Sequence, residues 1–266
     1  LPGSTYTFII DASGGHRNIQ ITILENDAPP DAPASIPMTF GGYVMNKVDN
    51  NGNYKVEQNF TQNQDIVIGG GLNNSYLDDW WIDPDFLEKT GPLTLRLLSI
   101  TAKYRVTANI RLKYFRVEVM SGSNLASLNT NNGSGAIWVI GEGIGKPSLE
   151  KKHTDWNTGN ALCMAPTNTT SPRIYTITFK AGESLNIDNI NFKFFHQADW
   201  GGEFTHERLT TTSDLVFLGD GNNGRDPGNL YLIEGKIFEA GATYRFTIQV
   251  TTPVNTRQSI LTVTKL

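Results

Sequence analysis

The sequence holds a single cysteine, Cys163, in 266 residues. No internal disulfide can form, and no cysteine-based metal site can be built. Set among the small apolar residues of NALCMAP, the thiol reads as buried rather than as an activated nucleophile. Charge is sparse as well: 18% of residues are charged, the net charge is −4, and no Lys/Arg run exceeds two. That leaves no electrostatic footprint for nucleic acid and no basic face for anionic lipid. No stretch approaches the roughly 18 apolar residues of a membrane helix. The start LPGSTYTFII lacks the basic head and long apolar core of a signal peptide. The chain as given is expected to be soluble, with a removed export signal or lipid anchor left open.

Motifs of chemistry are scarce too. The four histidines show no metal-ligand spacing, and there is no nucleophile elbow. GEGIGK (141–146) neither completes a phosphate-loop glycine pattern nor leads into a helical one. GDGNNGRDPGN (219–229) offers Asp220, Asn222 and Asp226 as hard oxygen ligands. It places Arg225 and Tyr231 where the helix-loop-helix calcium template wants Gly and Glu, so it reads as a turn-rich loop. No paired carboxylates sit in an apolar setting, as a glycosidase would require. No catalytic residue, metal or cofactor is assigned.

What is present is alternation. Tyr6/Phe8/Ile10, Tyr104/Val106/Ala108, Tyr175/Ile177/Phe179 and Tyr244/Phe246/Ile248 keep a period of two, while no window sustains a helical stripe for three turns. Gly14-Gly15, Asn51-Gly52, Asn132-Gly133 and Gly201-Gly202 punctuate strand-sized runs. With 38% apolar and 10% aromatic residues there is ample material for packed cores. The fold class is all-β, with two tandem β-sandwich domains of an Ig-like or carbohydrate-binding-module-like kind. Helix is expected only as one turn after the cap Asp83 and Pro84.

The chain also resembles itself. GSTYTFIIDASGGHRNIQITILE (3–25) aligns with GATYRFTIQVTTPVNTRQSILTVTKL (241–266), and more loosely with 102–120; segments 54–86 and 175–204 share a strand, turn, strand and aromatic loop. Residues 1–36 then comprise a hairpin, either closing a preceding unit or added to the first domain's sheet, plus a stiff Pro-rich connector, NDAPPDAPASIP. Residues 37–120 form the first sandwich, 121–132 a linker, and 133–266 the second sandwich.

Every one of the five tryptophans lies in or beside a Gly/Asn/Asp-rich segment. A pyranose has an apolar C–H face that rests on an aromatic ring and a rim of hydroxyls that pairs with amides and carboxylates. Trp80 and Trp81 in DDWWIDPDF, with Asp83 as acceptor, form one candidate site. Trp156 in HTDWNTG and Trp200 in FHQADWGGEF, with His196 and Glu203 beside the latter, form another. Trp138 in AIWVIG reads as core, and so does one of the adjacent Trp80/Trp81 pair. The competing reading is a structural or adhesive sandwich whose tryptophans only pack cores; a glycoside hydrolase accessory domain is a third.

The order of IWVIGEGIG, Trp156, RIYTITFKAG, NFKFF followed by DWGGEF, and the closing GATYRFTIQV…ILTVTKL hairpin resembles the carbohydrate-binding modules of the SusE/SusF glycan-binding lipoproteins of Bacteroidetes. The resemblance covers 133–266; residues 37–120 look like a diverged relative. It implies a non-catalytic array that binds polysaccharide or oligosaccharide. Such an array sits on the outer face of the outer membrane through an N-terminal lipid anchor and works with a TonB-dependent importer; the chain itself is expected to be a monomer. It places the aromatic platform on Trp156 and Trp200, with Lys193 or Lys151 as hydroxyl donors.

Overall fold

The computed structural model describes residues 6–11, 20–25, 37–70 and 77–266. For the strands before residue 37 only the backbone is described. The Gly14-Gly15 turn and the Pro-rich connector lie outside the described residues. Strands Tyr6–Asp11 and Gln20–Glu25 pair antiparallel, Tyr6 opposite Glu25 and Asp11 opposite Gln20.

The fold is all-β in two sandwiches. In the first, one sheet runs Tyr43–Val44, Thr39–Phe40, Asp65–Gly69, Thr94–Leu97, Leu87–Gly91. The other runs Asn124–Leu125, Tyr114–Ser121, Ala102–Asn109, Asn53–Phe60, Asn46–Lys47, with Trp81–Ile82 parallel to Tyr114–Ser121. Strand Asn124–Leu125, inside the segment read as a linker, thus belongs to the first sandwich. In the second, His153–Asp155, Trp138–Gly145, Asn191–Phe195, Leu230–Leu232 and Val216–Leu218 face Ala165–Pro166, Arg173–Lys180, Thr243–Val250, Ser259–Lys265 and Leu209–Thr211. The two units share a plan: Asn53–Phe60 pairs with the first strand of the hairpin 102–121 as Arg173–Lys180 pairs with the first strand of 243–265.

Alternation drives this packing. Tyr175, Ile177 and Phe179 point inward against Tyr244, Phe246 and Ile248, and all six are buried. Strand Trp138–Gly145 departs from alternation because both of its faces are covered. Val139 joins the second sandwich's core, while Trp138 and Ile140 join the core cluster of the first. A continuous apolar run is what such a strand needs. Gly141 and Gly143 adopt φ of 138° and 82°. A Cβ on Gly141 would lie 2.4 Å from Phe192 Cα, and one on Gly143 2.5 Å from the Asn189 carbonyl oxygen. The glycines of GEGIGK therefore serve close strand approach.

Helix falls elsewhere than expected. The segment after Asp83 is a hydrogen-bonded turn, with Phe86 and Leu87 amides on the Asp83 carbonyl at 3.2 and 2.9 Å. The α-helical turn is Leu149–Lys152, capped by the Ser148 hydroxyl accepting from Lys151 N at 3.1 Å. A short 3-10 turn, Leu77–Asp79, precedes the Trp pair.

Candidate functional site

DDWWIDPDF joins the two sandwiches. Trp80 is 7% exposed and stacks on Phe115, centroids 4.8 Å apart. Asp83 and Asp85 are both buried, and each holds the Lys146 ammonium at 2.8 Å. Asp85 also accepts the Thr178 amide at 2.7 Å and the Thr178 hydroxyl at 2.6 Å. The ammonium lies 5.8 Å from the centroids of both Trp81 and Phe179. Burial raises the Asp83 carboxyl against the attraction of Lys146, and neighbouring Asp85 adds to the rise. Burial opposes ionisation of Asp85 too, but Lys146 and the Thr178 donors outweigh it and hold that carboxyl low. Trp80 and Asp83 are thus corrected from sugar contacts to interface residues, since a charge sealed among partners has no valence left for a hydroxyl; Trp81 is half-buried beside the ammonium.

The same interface carries further cross-links. Ser99 Oγ donates to the Pro166 carbonyl at 2.7 Å, and Trp138 Nε1 to that of Ala126 at 2.8 Å. Trp138 is wholly buried. Burial pushes the Cys163 thiol well up, which keeps it inert.

Trp156 and Trp200 behave differently. Asp155, at φ 47°, turns the chain out of its strand, and Asn157 Oδ1 accepts Gly159 N at 2.9 Å to start the next turn. Asp is among the residues that tolerate this left-handed conformation. Between them Trp156 projects, half-buried. On the facing loop the Asp199 carboxylate accepts Trp200 N at 2.8 Å, and Gln197 Nε2 donates to the Trp200 carbonyl. The loop closes by His196 N on the Gly202 carbonyl at 2.8 Å and a bridge between Phe195 and Glu203. Gly201 and Gly202 take φ of 89° and 65° to allow this closure. Trp200 meets Phe195 edge-on at 5.9 Å and stacks on Trp156, centroids 6.4 Å apart and planes 23° from parallel. It remains 50% exposed.

Lys193 shares the outer strand face with Phe195, since residues two apart point the same way, and lies opposite Ile140. Asn191, further along that face, accepts Asn229 Nδ2 at 2.8 Å. Glu203 is half-buried behind the Trp200 loop. His196 is a correction: it is 7% exposed, edge-on to Phe204 at 4.4 Å, and burial with nearby Arg208 lowers its pKa to about 4. It supports the loop from beneath. Lys151 is exposed, its ammonium 3.5 Å from the Leu112 carbonyl oxygen and directed to the first sandwich. In the 219–229 loop Asp220 accepts Asn222 N and Asn223 N, each at 2.8 Å, which ties the loop to itself.

Beside the Trp pair a groove of about 480 Å³ opens between the sandwiches. Thr158 and Gly159, just after Trp156, line one side with Ala198 and Asp199, just before Trp200. Lys55, Arg105, Tyr114 and Arg116 of the first sandwich line the other. Sequence reading passed over Lys146, Arg116 and Lys152; only the position of Lys146 at the end of a largely buried strand could have marked it.

Residues 3–128 match the family model described as "Domain of unknown function (DUF5125)", and residues 132–251 the one described as "Domain of unknown function (DUF5121)". No curated protein matches the chain in sequence. Among solved structures the chain is similar to SusF from Bacteroides thetaiotaomicron, at 16% identity and a TM-score of 0.31, over 93% of this chain and 52% of that one. The chain spans about half the length of that protein.

Proposed function

We propose that the chain binds a polysaccharide or oligosaccharide without cleaving it, at the Trp156–Trp200 pair. The observation that carries this reading is the half-exposed Trp200 ring stacked on Trp156. An apolar surface of this size left in water at the end of a tightly closed loop serves a ligand better than a core. Stacking of a pyranose on the ring, with Lys193 and the loop amides on its hydroxyls, gives recognition through one apolar face and a polar rim. A solvated sugar gives up nearly as many hydrogen bonds as it gains, so a single site should bind at about 0.01–1 mM. Placement on the outer face of the outer membrane, lipid anchoring and partnership with a TonB-dependent importer belong to this reading through the sequence resemblance alone. Affinity electrophoresis against a panel of polysaccharides tests it. Retardation by at least one glycan, lost in Trp200→Ala, is expected; migration unaltered by every glycan would reject it.

A further inference from the structure

Charge in the interdomain groove does not balance. Glu57 Oε1 takes both Arg105 Nε at 2.9 Å and Lys55 Nζ at 3.1 Å. Glu118, itself 5% exposed, takes Arg116 Nη2 at 2.7 Å. Asp199 is occupied by the Trp200 amide. The groove is lined by Lys55, Arg105, Arg116 and Lys152 against the carboxylates of Glu118 and Asp199 alone, and Lys152 forms an ion pair with neither among the described residues. The same Arg116 Nη2 also donates to the Ala161 carbonyl at 2.6 Å, and Arg116 Nε is buried with no partner. A lysine and an arginine from opposite sandwiches thus converge on one space with donors to spare. An unsatisfied buried donor is costly, and groups of this kind are ordinarily met by a ligand, an ion or water.

The space suits something larger than an ion. At about 480 Å³ it falls within the range of small-molecule sites, and Asn53, Thr107, Tyr114 and Thr158 add hydroxyl and amide groups to its lining.

We propose that this groove is a second binding site, for a sugar that carries an oxyanion, either a carboxylate or a sulfate ester, with Lys152 and Arg116 as its charge partners. The sugar half of the assignment rests on the glycan-binding reading, because the loops of Trp156 and Trp200 form one wall; the anion half stands on the groove alone. An acidic glycan lying on the Trp pair would reach the groove with its charged substituent. Burial and the neighbouring Arg116 lower the pKa of the Lys152 ammonium to about 8 against the attraction of Glu118, so a further anion there would offset the remaining repulsion.

The test is an amide chemical-shift titration of the full chain at low salt, where charge pairing is least screened, with glucuronate, galactose 6-sulfate, glucose and inorganic sulfate as probes. Shifts at Lys152, Thr158 and Gly159 are expected with one or both acidic sugars, which should bind about tenfold or more tighter than glucose. Response to glucuronate alone assigns a carboxylate, and to the sulfated sugar alone a sulfate ester. Lys152→Met should lose that preference while Lys152→Arg retains it, each checked for an unchanged spectrum elsewhere; Trp200→Ala should leave it intact. Inorganic sulfate or glucose binding as tightly as the acidic sugars, or Lys152→Met binding like the parent chain, would overturn the proposal. Retardation of a neutral polysaccharide through Trp200 would then still stand, and acidic-sugar shifts without any retardation would sink the Trp reading instead.

Discussion

The rings of Trp156 and Trp200 lie 23° from parallel with centroids 6.4 Å apart, though 44 positions separate them in the chain and each comes from its own loop. The two contribute unequally to the fold. Trp200 is half exposed and rests on Phe195 by its edge, whereas Trp156 packs against the core cluster of the first sandwich. Trp200→Ala is therefore expected to weaken glycan binding about tenfold or more while costing under about 1 kcal/mol of stability. Trp156→Ala should weaken binding similarly and cost about 2–4 kcal/mol, since it also removes buried ring. Retardation and denaturant midpoints measured together decide this; a Trp200→Ala protein that unfolds as easily as Trp156→Ala would show that the ring is structural.

Lys146 ties the sandwiches through two aspartates 61 and 63 positions away. Lys146→Met leaves Asp83 and Asp85 sealed without a counter-charge, at a cost of about 3–5 kcal/mol. The triple variant Lys146→Met, Asp83→Asn, Asp85→Asn removes the charges together and should recover most of that loss. Guanidinium unfolding reads both. Were the single variant to lose less than about 1 kcal/mol, water would have to reach the cluster, contrary to the burial of all three side chains.

What the sequence shows and hides follows from the range of each interaction. The strands Tyr104/Val106/Ala108, Tyr175/Ile177/Phe179 and Tyr244/Phe246/Ile248 were legible because alternation is local, and each is buried on that face. Trp138 was legible as core because it lies in the apolar, strand-like run AIWVIG. DDWWIDPDF was not legible, because aromatics beside aspartates have one composition whether they face a sugar or a lysine from another domain. The partner Lys146 leaves no periodic mark at that distance. The Trp156–Trp200 pair was half legible: glycines and amides announced loops, but only the fold brings the two loops together. Lys193 lay within reach of period-two reasoning, since it shares a face with Phe195; His196 sits in the adjacent register, where the same reasoning points it inward.

His196 gives the protein a pH signature. Its folded pKa of about 4 lies below the ordinary imidazole value of 6.5, so between those values the unfolded chain holds more protons than the folded one. The stability contribution is fully present above pH 6.5 and falls as pH drops toward 4, by at most about 3 kcal/mol. Asp83, whose carboxyl is raised, acts with the opposite sign over part of that range. Comparing the parent chain with His196→Gln isolates the histidine: denaturant midpoints of the variant should slope less steeply between pH 6.5 and 4.5. Identical slopes would mean that the imidazole titrates as freely in the folded chain as in the unfolded one.

Gly141 and Gly122 separate two reasons for glycine. Both have positive φ, 138° and 61°, but a Cβ on Gly122 meets nothing within 4 Å, whereas on Gly141 it would sit 2.4 Å from Phe192 Cα and 2.5 Å from the Asn191 carbonyl oxygen. Gly122→Ala should cost about 1 kcal/mol, the strain of the left-handed backbone. Gly141→Ala must also part the strands Trp138–Gly145 and Asn191–Phe195, with an expected loss of about 3 kcal/mol or more. Those strands carry Trp138 and Phe195 into the interface and, through Phe195, support the ring of Trp200. Gly141→Ala should accordingly reduce glycan retardation as well as stability, while Gly122→Ala leaves retardation unchanged. Equal losses in the two variants would show that backbone strain, and not strand approach, sets the requirement for glycine at position 141.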